Sequence, residues 1–473
     1  MSSAVVAAVV AATLVGVAAC AGDPSAVGSA ANASSATATV GGPASPPSPA
    51  VTDSTATGPA PFAPTTRAAA TPQAVSPADC VSAESTPATD VTSTTPPEVT
   101  AALAGPVADR RFAGDTLSVS VWIDGWGEVM AVDPDRALVP ASNQKLLVIS
   151  AAVTVLDPSA HPRTSVVASG PTLDGVVQGD LVLVGGGDPD LTTTGPDSLD
   201  ALAQLVHDHG ITSVTGRALI DESRYDDQRT VASWPAGTND EAGAGGLGAL
   251  MVDRNRGPGG VIAMRNATLF RDALRAHGVG VAGPPGAGPA VAGVEVAGLD
   301  GPSYAQLMGQ MLQLSDGLVA ESMVKEIGWR QRGDGSTAAG LAAIRDELGP
   351  LCVALDGTDH DGSGFSYQDG RSAREWRRLL QAGQRQPWGP QLLAALPVAG
   401  RSGTLVRRLT GPATAGNVHA KTGSLSISKA MSGFLTTAGG RSATFSIVVN
   451  GPATGSAEPA IDALVTAIAS LPG

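Results

Sequence analysis

The sequence predicts an α/β fold in which strands from both ends of the ordered chain close one antiparallel sheet, with helices between them and a second domain inserted. Three observations point to it. Apolar residues alternate early, from Leu117 to Val132, and late, from Ser432 to Val449, whereas Tyr304 to Leu348 carries helical periodicity. A stretch at about 165–300 has strands and a helix of its own. At 473 residues and 43% hydrophobic, the chain can bury a large core and more than one module.

Taken in order, the apolar run Ala4 to Ala19 is shorter than the roughly 20 residues of a membrane-spanning helix. It reads as a signal peptide over 1–20, although Met-Ser-Ser supplies no Lys or Arg ahead of it. Val17-Ala18-Ala19-Cys20 resembles a bacterial lipobox, whose Cys would attach the N-terminus to a membrane. Residues 21–105 are rich in Ala, Ser, Thr and Pro with little aromatic content, too little apolar area to offset ordering entropy, and read as a disordered tether. Leu117–Ile123 and Glu128–Val132 then alternate as a hairpin. A helix starts at Ser142, takes Leu146–Leu156 as its apolar body and stops at Asp157-Pro158. Asp180–Val184 and Arg217–Ile220 read as strands around a helix at about Ser198–His209. Helices follow at Tyr304–Gln313, Leu318–Trp329 and Thr337–Leu348. Paired strands around Ser432–Leu435 and Ala443–Val449 precede a last helix from about Glu458. The main domain is thus expected at 106–164 and 301–473, with the insertion at 165–300.

The net charge of -14 and pI near 4.8 offer no basic face for phosphates, which argues against nucleic acid as a partner. Three cysteines exclude a disulfide framework or a multi-Cys zinc cluster. Cys80 and Cys352 are left either to pair or to stand as thiols.

Three short motifs carry the chemistry. In Ser142-Asn143-Gln144-Lys145, positions i and i+3 of a helix share a face, so the Lys145 amine reaches the Ser142 hydroxyl and can take its proton once burial lowers its pKa. Alone, the pattern is common, and its bland reading is a capping serine with a solvated lysine. Lysine usage sharpens it. The chain has four lysines, at 145, 325, 421 and 429, against 25 arginines, and arginine cannot titrate near neutrality. The second motif, Lys421-Thr422-Gly423-Ser424, places a cation and hydroxyls suited to a carboxylate beside a glycine that lets substrate lie close to the backbone. Backbone N–H groups of Ser142 and Ser424 would form an oxyanion hole. The third is Ser315-Asp316-Gly317, whose Ser315 can relay a proton to a leaving amine. By itself that triplet says little.

In this order the motifs resemble the D-alanyl-D-alanine carboxypeptidase/endopeptidase family of low-molecular-mass penicillin-binding proteins with an inserted domain. The resemblance runs from about Leu117 to the end. Further family-like blocks are Gly186-Gly187-Asp188-Pro189, Ile220-Asp221-Glu222-Ser223-Arg224-Tyr225, Val252-Asp253-Arg254-Asn255, Asp361-Gly362-Ser363-Gly364-Phe365-Ser366 and Leu396-Pro397-Val398-Ala399-Gly400. The resemblance implies a penicillin-binding-protein/β-lactamase-like transpeptidase fold and an exported serine hydrolase acting on peptidoglycan peptides. It implies no metal or organic cofactor, and β-lactam antibiotics as covalent inhibitors. Ser142 is the implied nucleophile, Lys145 its base and Ser315 the proton relay; Lys421, Thr422, Gly423 and Ser424 bind the terminal carboxylate. Asp221 and Tyr225 are implied to contact the stem peptide's diamino-acid side chain.

One departure matters. The family has Ser-x-Asn where this chain has Gly317, so the amide that holds Lys145 and the substrate carbonyl is absent. Losing one such hydrogen bond costs about 1 to 3 kcal/mol, or roughly 10- to 100-fold in acylation, and leaves water or Asn143 to fill the role. A catalytically impaired wall-binding protein is therefore the rival reading. A β-lactamase is a weaker one, because no Glu-x-x-Leu-Asn segment lies between Ser315 and Lys421. Gly243–Gly248 matches a dinucleotide fingerprint but follows no strand, His207-Asp208-His209 ends an amphipathic helix, and His360 has no nucleophile elbow to serve.

Overall fold

The computed structural model describes residues 95–238, 245–256, 261–290, 292–452 and 454–473. The expected leader, Cys20, Cys80 and the tether as far as residue 94 lie outside them. Cys352 is disulfide-bonded.

Helix α1 (Pro97–Val107) lies mostly inside the span expected to be tether, so the expectation of disorder up to residue 105 is corrected. Pro97 occupies the first helical position, where its missing N–H has no partner to lose. Val99 and Leu103, one turn apart, are completely buried. Two apolar side chains on one face suffice to dock a short helix on a formed sheet, yet they make no visible run in an Ala/Pro/Thr-rich stretch. Strands β1 (Thr116–Ile123) and β2 (Gly127–Val132) form the expected hairpin. A 3-10 turn at Ala141–Gln144 leads into α2 (Lys145–Val155), every residue of which is buried as far as Val153.

Strands β3 (Arg163–Ala168), β4 (Thr172–Leu173), β5 (Val176–Val177) and β6 (Leu181–Val184) follow, then α3 (Leu199–Asp208), β7 (Ser213–Val214), β8 (Ala218–Asp221), α4 (Ile262–Ala276), β9 (Gly280–Val281), β10 (Gly286–Ala287) and β11 (Val294–Asp300). They build two sheets, ordered β10-β8-β6-β3-β11 and β4-β5-β7-β9, around a core that includes Leu183, Leu202, Ile220 and Phe270. The chain leaves and returns through neighbouring strands, since β3 and β11 pair antiparallel with Arg163 opposite Asp300. An insertion whose ends lie side by side disturbs its host little.

The remaining elements are α5 (Tyr304–Gln313), α6 (Gly317–Arg332), α7 (Thr337–Leu348), α8 (Ala373–Gln384), α9 (Gly389–Ala395), β12 (His419–Leu425), β13 (Ser428–Thr436), β14 (Ser442–Asn450) and α10 (Ala457–Ala469). Helices α4, α8 and α9 were not anticipated. The main sheet runs β12-β13-β14-β1-β2, antiparallel throughout, so strands from both ends of the ordered chain meet as β14 and β1. Alternation then sorts its side chains. Ala430, Phe434 and Val448 face the helical core with α2, α5 and α6, whereas Met431, Leu435, Ile447 and Val449 face α1 and α10.

Candidate active site

Ser142 lies in the 3-10 turn ahead of α2, 8% exposed, and the Lys145 Nζ is 3.2 Å from its Oγ. The turn is tight because two other segments press on it. Ala141 takes a left-handed φ of 48°, a conformation that costs a non-glycine residue of order 1 kcal/mol or more. A Cβ on Gly423 would lie 2.7 Å from the Pro140 carbonyl oxygen, and one on Gly364 would lie 1.9 Å from that of Ala141. Both glycines allow backbone to approach the nucleophile's turn at contact distance.

Lys145 is completely buried. Burial pushes its amine down to about 8, and the nearby carboxylates Asp361, Glu321 and Asp316 return only part of that shift. Its second contact is the carbonyl of Ser363, 2.5 Å from Nζ. Asn143, offered by the sequence as a substitute for the missing amide, points elsewhere: its Nδ2 donates to Ser432 Oγ at 2.7 Å, and Ser432 in turn bonds Ser446 across the sheet. That expectation is corrected, because the Asn143 side chain lies against the sheet rather than against Lys145.

The carbonyl of Ser363 is placed by a buried loop, 361–366, wound around Asp361. The Asp361 carboxylate accepts from the N–H groups of Gly364, Phe365 and Ser366, from Ser363 Oγ and from Trp234 Nε1, at 2.7 to 3.1 Å. Glu321 on α6 accepts from Gly362 and Ser363 N–H on one oxygen and leaves the other buried without a partner. Burial and the charge of Asp361 push its carboxyl up to about 7. The same two causes push Asp369 up to about 10, so it stays protonated beside Asp361. In the sequence this block shows only a family resemblance. Its function as a clamp on Lys145 was missed, because no pattern marks a backbone carbonyl as an acceptor.

Ser315 sits at the turn between α5 and α6 with φ 58°. Asp316 caps α6 by accepting from Val319 N, and Arg254 donates to it at 2.6 Å while also reaching Asp190 at 3.3 Å. Burial draws the Asp316 carboxyl upward, but the Arg254 charge and hydrogen bond outweigh it and hold it below the usual carboxylate range. Arg254 thus ties residues 163–300 to the turn that carries Ser315. It stands in the middle of three consecutive left-handed residues, Asp253, Arg254 and Asn255.

Lys421 completes the group. Its Nζ donates to Ser315 Oγ at 2.9 Å and to the Thr422 carbonyl at 2.6 Å. Burial first, and then the charge of Lys145, push it well below the ordinary lysine range. The charge of Lys145 felt at Lys421, and the close approach of Gly423 to the turn at Pro140 and Ala141, bring the Ser142–Lys145 pair near the Ser315–Lys421 pair. Thr422 Oγ1 bonds Thr404 Oγ1 at 2.7 Å, and exposed Ser424 receives a hydrogen bond from Lys429, a third lysine at this cleft that scarcity could have flagged.

Asp221 and Tyr225 are not in the cleft. Asp221 accepts from Ser223 N and Ala290 N, one on each oxygen, and Tyr225 Oη bonds buried Glu326. The Asp221 bonds stay within residues 163–300, and only the Tyr225 bond reaches α6. Among the described residues no group of three His, Cys, Asp or Glu is placed to hold a metal.

Comparison with known proteins finds relatives over most of the chain. The model of the D-Ala-D-Ala carboxypeptidase 3 (S13) family matches residues 99–267 and 261–471. A carboxypeptidase of Mycobacterium tuberculosis is 31% identical over 78% of this chain and 83% of its own length. A D-alanyl-D-alanine carboxypeptidase of an Actinomadura species is 30% identical over 68% and 75%. Among solved structures, penicillin binding protein 4 of Haemophilus influenzae superposes with a TM-score of 0.67 at 20% identity, covering 74% of this chain and 93% of that one. The latter protein has also been solved with a β-lactam.

Proposed function

This chain belongs to the D-Ala-D-Ala carboxypeptidase 3 (S13) family, and on that premise we propose that it is a serine D,D-carboxypeptidase that cleaves peptidoglycan stem peptides through an acyl-enzyme on Ser142. One observation carries the reading: a completely buried lysine amine, pushed down to about 8, lies 3.2 Å from a serine hydroxyl. An amine that sheds its proton near neutrality can take one from that hydroxyl, whereas an ordinary lysine cannot.

Ser142 attacks the carbonyl of the penultimate D-alanine while Lys145 takes the hydroxyl proton. Backbone N–H groups of Ser142 and Ser424 face the oxygen that becomes negative. The proton taken by Lys145 passes through the hydroxyl of Ser315, which is hydrogen-bonded to Lys421, to the departing D-alanine amine, leaving Lys145 neutral. Lys421, Thr422 and Ser424 hold the terminal carboxylate, which supplies Lys421 with a countercharge. Gly423 keeps that strand free of side-chain bulk where it meets the nucleophile's turn. Water then hydrolyses the acyl-enzyme. A β-lactam presents the same carbonyl and carboxylate, and acylates the same serine.

A chain acting on the wall works outside the cytoplasm. Export through the apolar run at Ala4–Ala19, with lipid attachment at Cys20, is supported by the Val17-Ala18-Ala19-Cys20 sequence. Cleavage of crosslinks as well as termini is the finer part of the proposal. Incubation of purified protein with muropeptides, with products identified by mass, tests both: the terminal D-alanine is lost from pentapeptides, and dimers are split if crosslinks are substrates. Intact pentapeptide, together with wild type that takes up no fluorescent penicillin, overturns the reading in favour of a wall-binding protein.

A further inference from the structure

Gly317 stands where the family motif carries Asn, and the structure fills that place from another segment. A Cβ on Gly317 would lie 2.4 Å from Phe365 Cε2 and 2.5 Å from Cζ, so no side chain fits at 317 while the ring stays. The same ring has its centroid 5.4 Å from Lys145 Nζ. It is held edge-on by Trp234, centroid to centroid 5.4 Å and 77° between planes, and the Trp234 Nε1 donates to the Asp361 carboxylate that also receives the Phe365 N–H. Val231, Leu247, Met251 and Leu318 pack with these rings as one apolar cluster.

We propose that Phe365 is the positioning residue that stands in for the absent motif amide: its ring screens the Lys145 amine from water, and Trp234, from the segment between β8 and α4, fixes the ring. The proposal rests on the Ser142–Lys145 reading. An amide would have served Lys145 by hydrogen bonding, which a phenyl ring cannot do. The ring can exclude water, and each water withheld from an ammonium raises its cost relative to the neutral amine. The ring face also attracts the ammonium form at 5.4 Å, an influence that opposes the screening. The hydrogen-bonding duty passes to the Ser363 carbonyl, two residues earlier in the same loop. Gly317 and Phe365 therefore form a unit in which one side's bulk replaces the other's.

The test is the pH dependence of Ser142 acylation by a chromogenic cephalosporin, followed from about pH 6 to about pH 10 on the full chain, for wild type, Phe365→Ala, Phe365→Leu, Gly317→Asn and the Gly317→Asn/Phe365→Leu pair. Opening the ring's place to water moves the limb of Phe365→Ala to higher pH by about half a unit or more, with Phe365→Leu shifted less in the same direction. Gly317→Asn acylates roughly 10-fold or more slowly, and the pair regains most of that loss, as coupled neighbours do. A ring that only packs would lower the rate at every pH and leave the limb in place, and that result overturns the proposal. So does Gly317→Asn at the wild-type rate, or a pair no faster than Gly317→Asn. If Phe365→Ala does not fold, the limb of Phe365→Leu decides. Wild type that is never acylated overturns the Ser142 reading itself, and this proposal with it.

Discussion

The Lys145 amine and the Ser363 carbonyl are 218 positions apart in the sequence and 2.5 Å apart in the structure. The contact fixes the amine on the side of Ser142 without neutralising it, so the state of Lys145 is set by burial and by the carboxylates beneath the loop.

The rate of acylation by a β-lactam is expected to rise with pH through a limb near 8, because Lys145 serves as a base only when neutral. Glu321→Gln removes one of the charges that raise Lys145, and the limb moves to lower pH. A stopped-flow pH series on both proteins checks the direction.

Ser142→Ala abolishes covalent penicillin uptake and leaves the thermal midpoint nearly unchanged, since one partly occupied hydroxyl is lost. Lys145→Arg cannot act as a base near neutrality and lowers acylation by about 10²- to 10⁴-fold. Gel fluorescence with labelled penicillin reads both.

Asp361→Ala strips the acceptor from three backbone N–H groups and Ser363 Oγ of its own loop, and from Trp234 Nε1 of another segment. Several donors left unpaired cost about 3 kcal/mol or more of stability. Denaturant unfolding measures this, and a loss below about 1 kcal/mol would show that the loop finds other partners.

Arg254→Ala leaves Asp316 buried without its cation and frees residues 163–300 from the turn that carries Ser315. Its acylation rate falls more than its stability does, and Arg254→Lys recovers only part, since a lysine cannot span Asp190 and Asp316 with a planar fork. Acylation kinetics alongside unfolding curves separate the two effects.

Stability carries its own signature of Glu321. Its folded pKa lies above the ordinary 4.5, at about 7, so the folded state binds more protons between those values and stability declines as pH rises across that window. The difference between wild type and Glu321→Gln, measured by denaturant midpoint from about pH 4 to about pH 8, is expected to follow this slope.

Much of this molecule was legible in the residues themselves. Period-two alternation placed β1, β2, β13 and β14, whose successive side chains turn to opposite faces of the sheet, and period 3.6 placed α5 and α7, which each bury one apolar face. Ser142 and Lys145 were legible as a pair because three residues on a helix share a face whatever surrounds them. An arginine-rich chain that keeps four lysines also advertised Lys421. Long-range polar contacts left no such trace: nothing in the spacing of Trp234, Glu321 and Asp361 says that they hold one loop, nor that Arg254 reaches Asp316, nor that Asp221 and Tyr225 spend their polar atoms inside the fold.

Sequence alone thus determined which residues could react, since reactivity begins with side-chain type and local periodicity. Only the tertiary structure decided that they do so together, because burying Lys145 and Lys421, and filling the place left by Gly317 with Phe365, required segments far apart in the chain to pack against one another and exclude water.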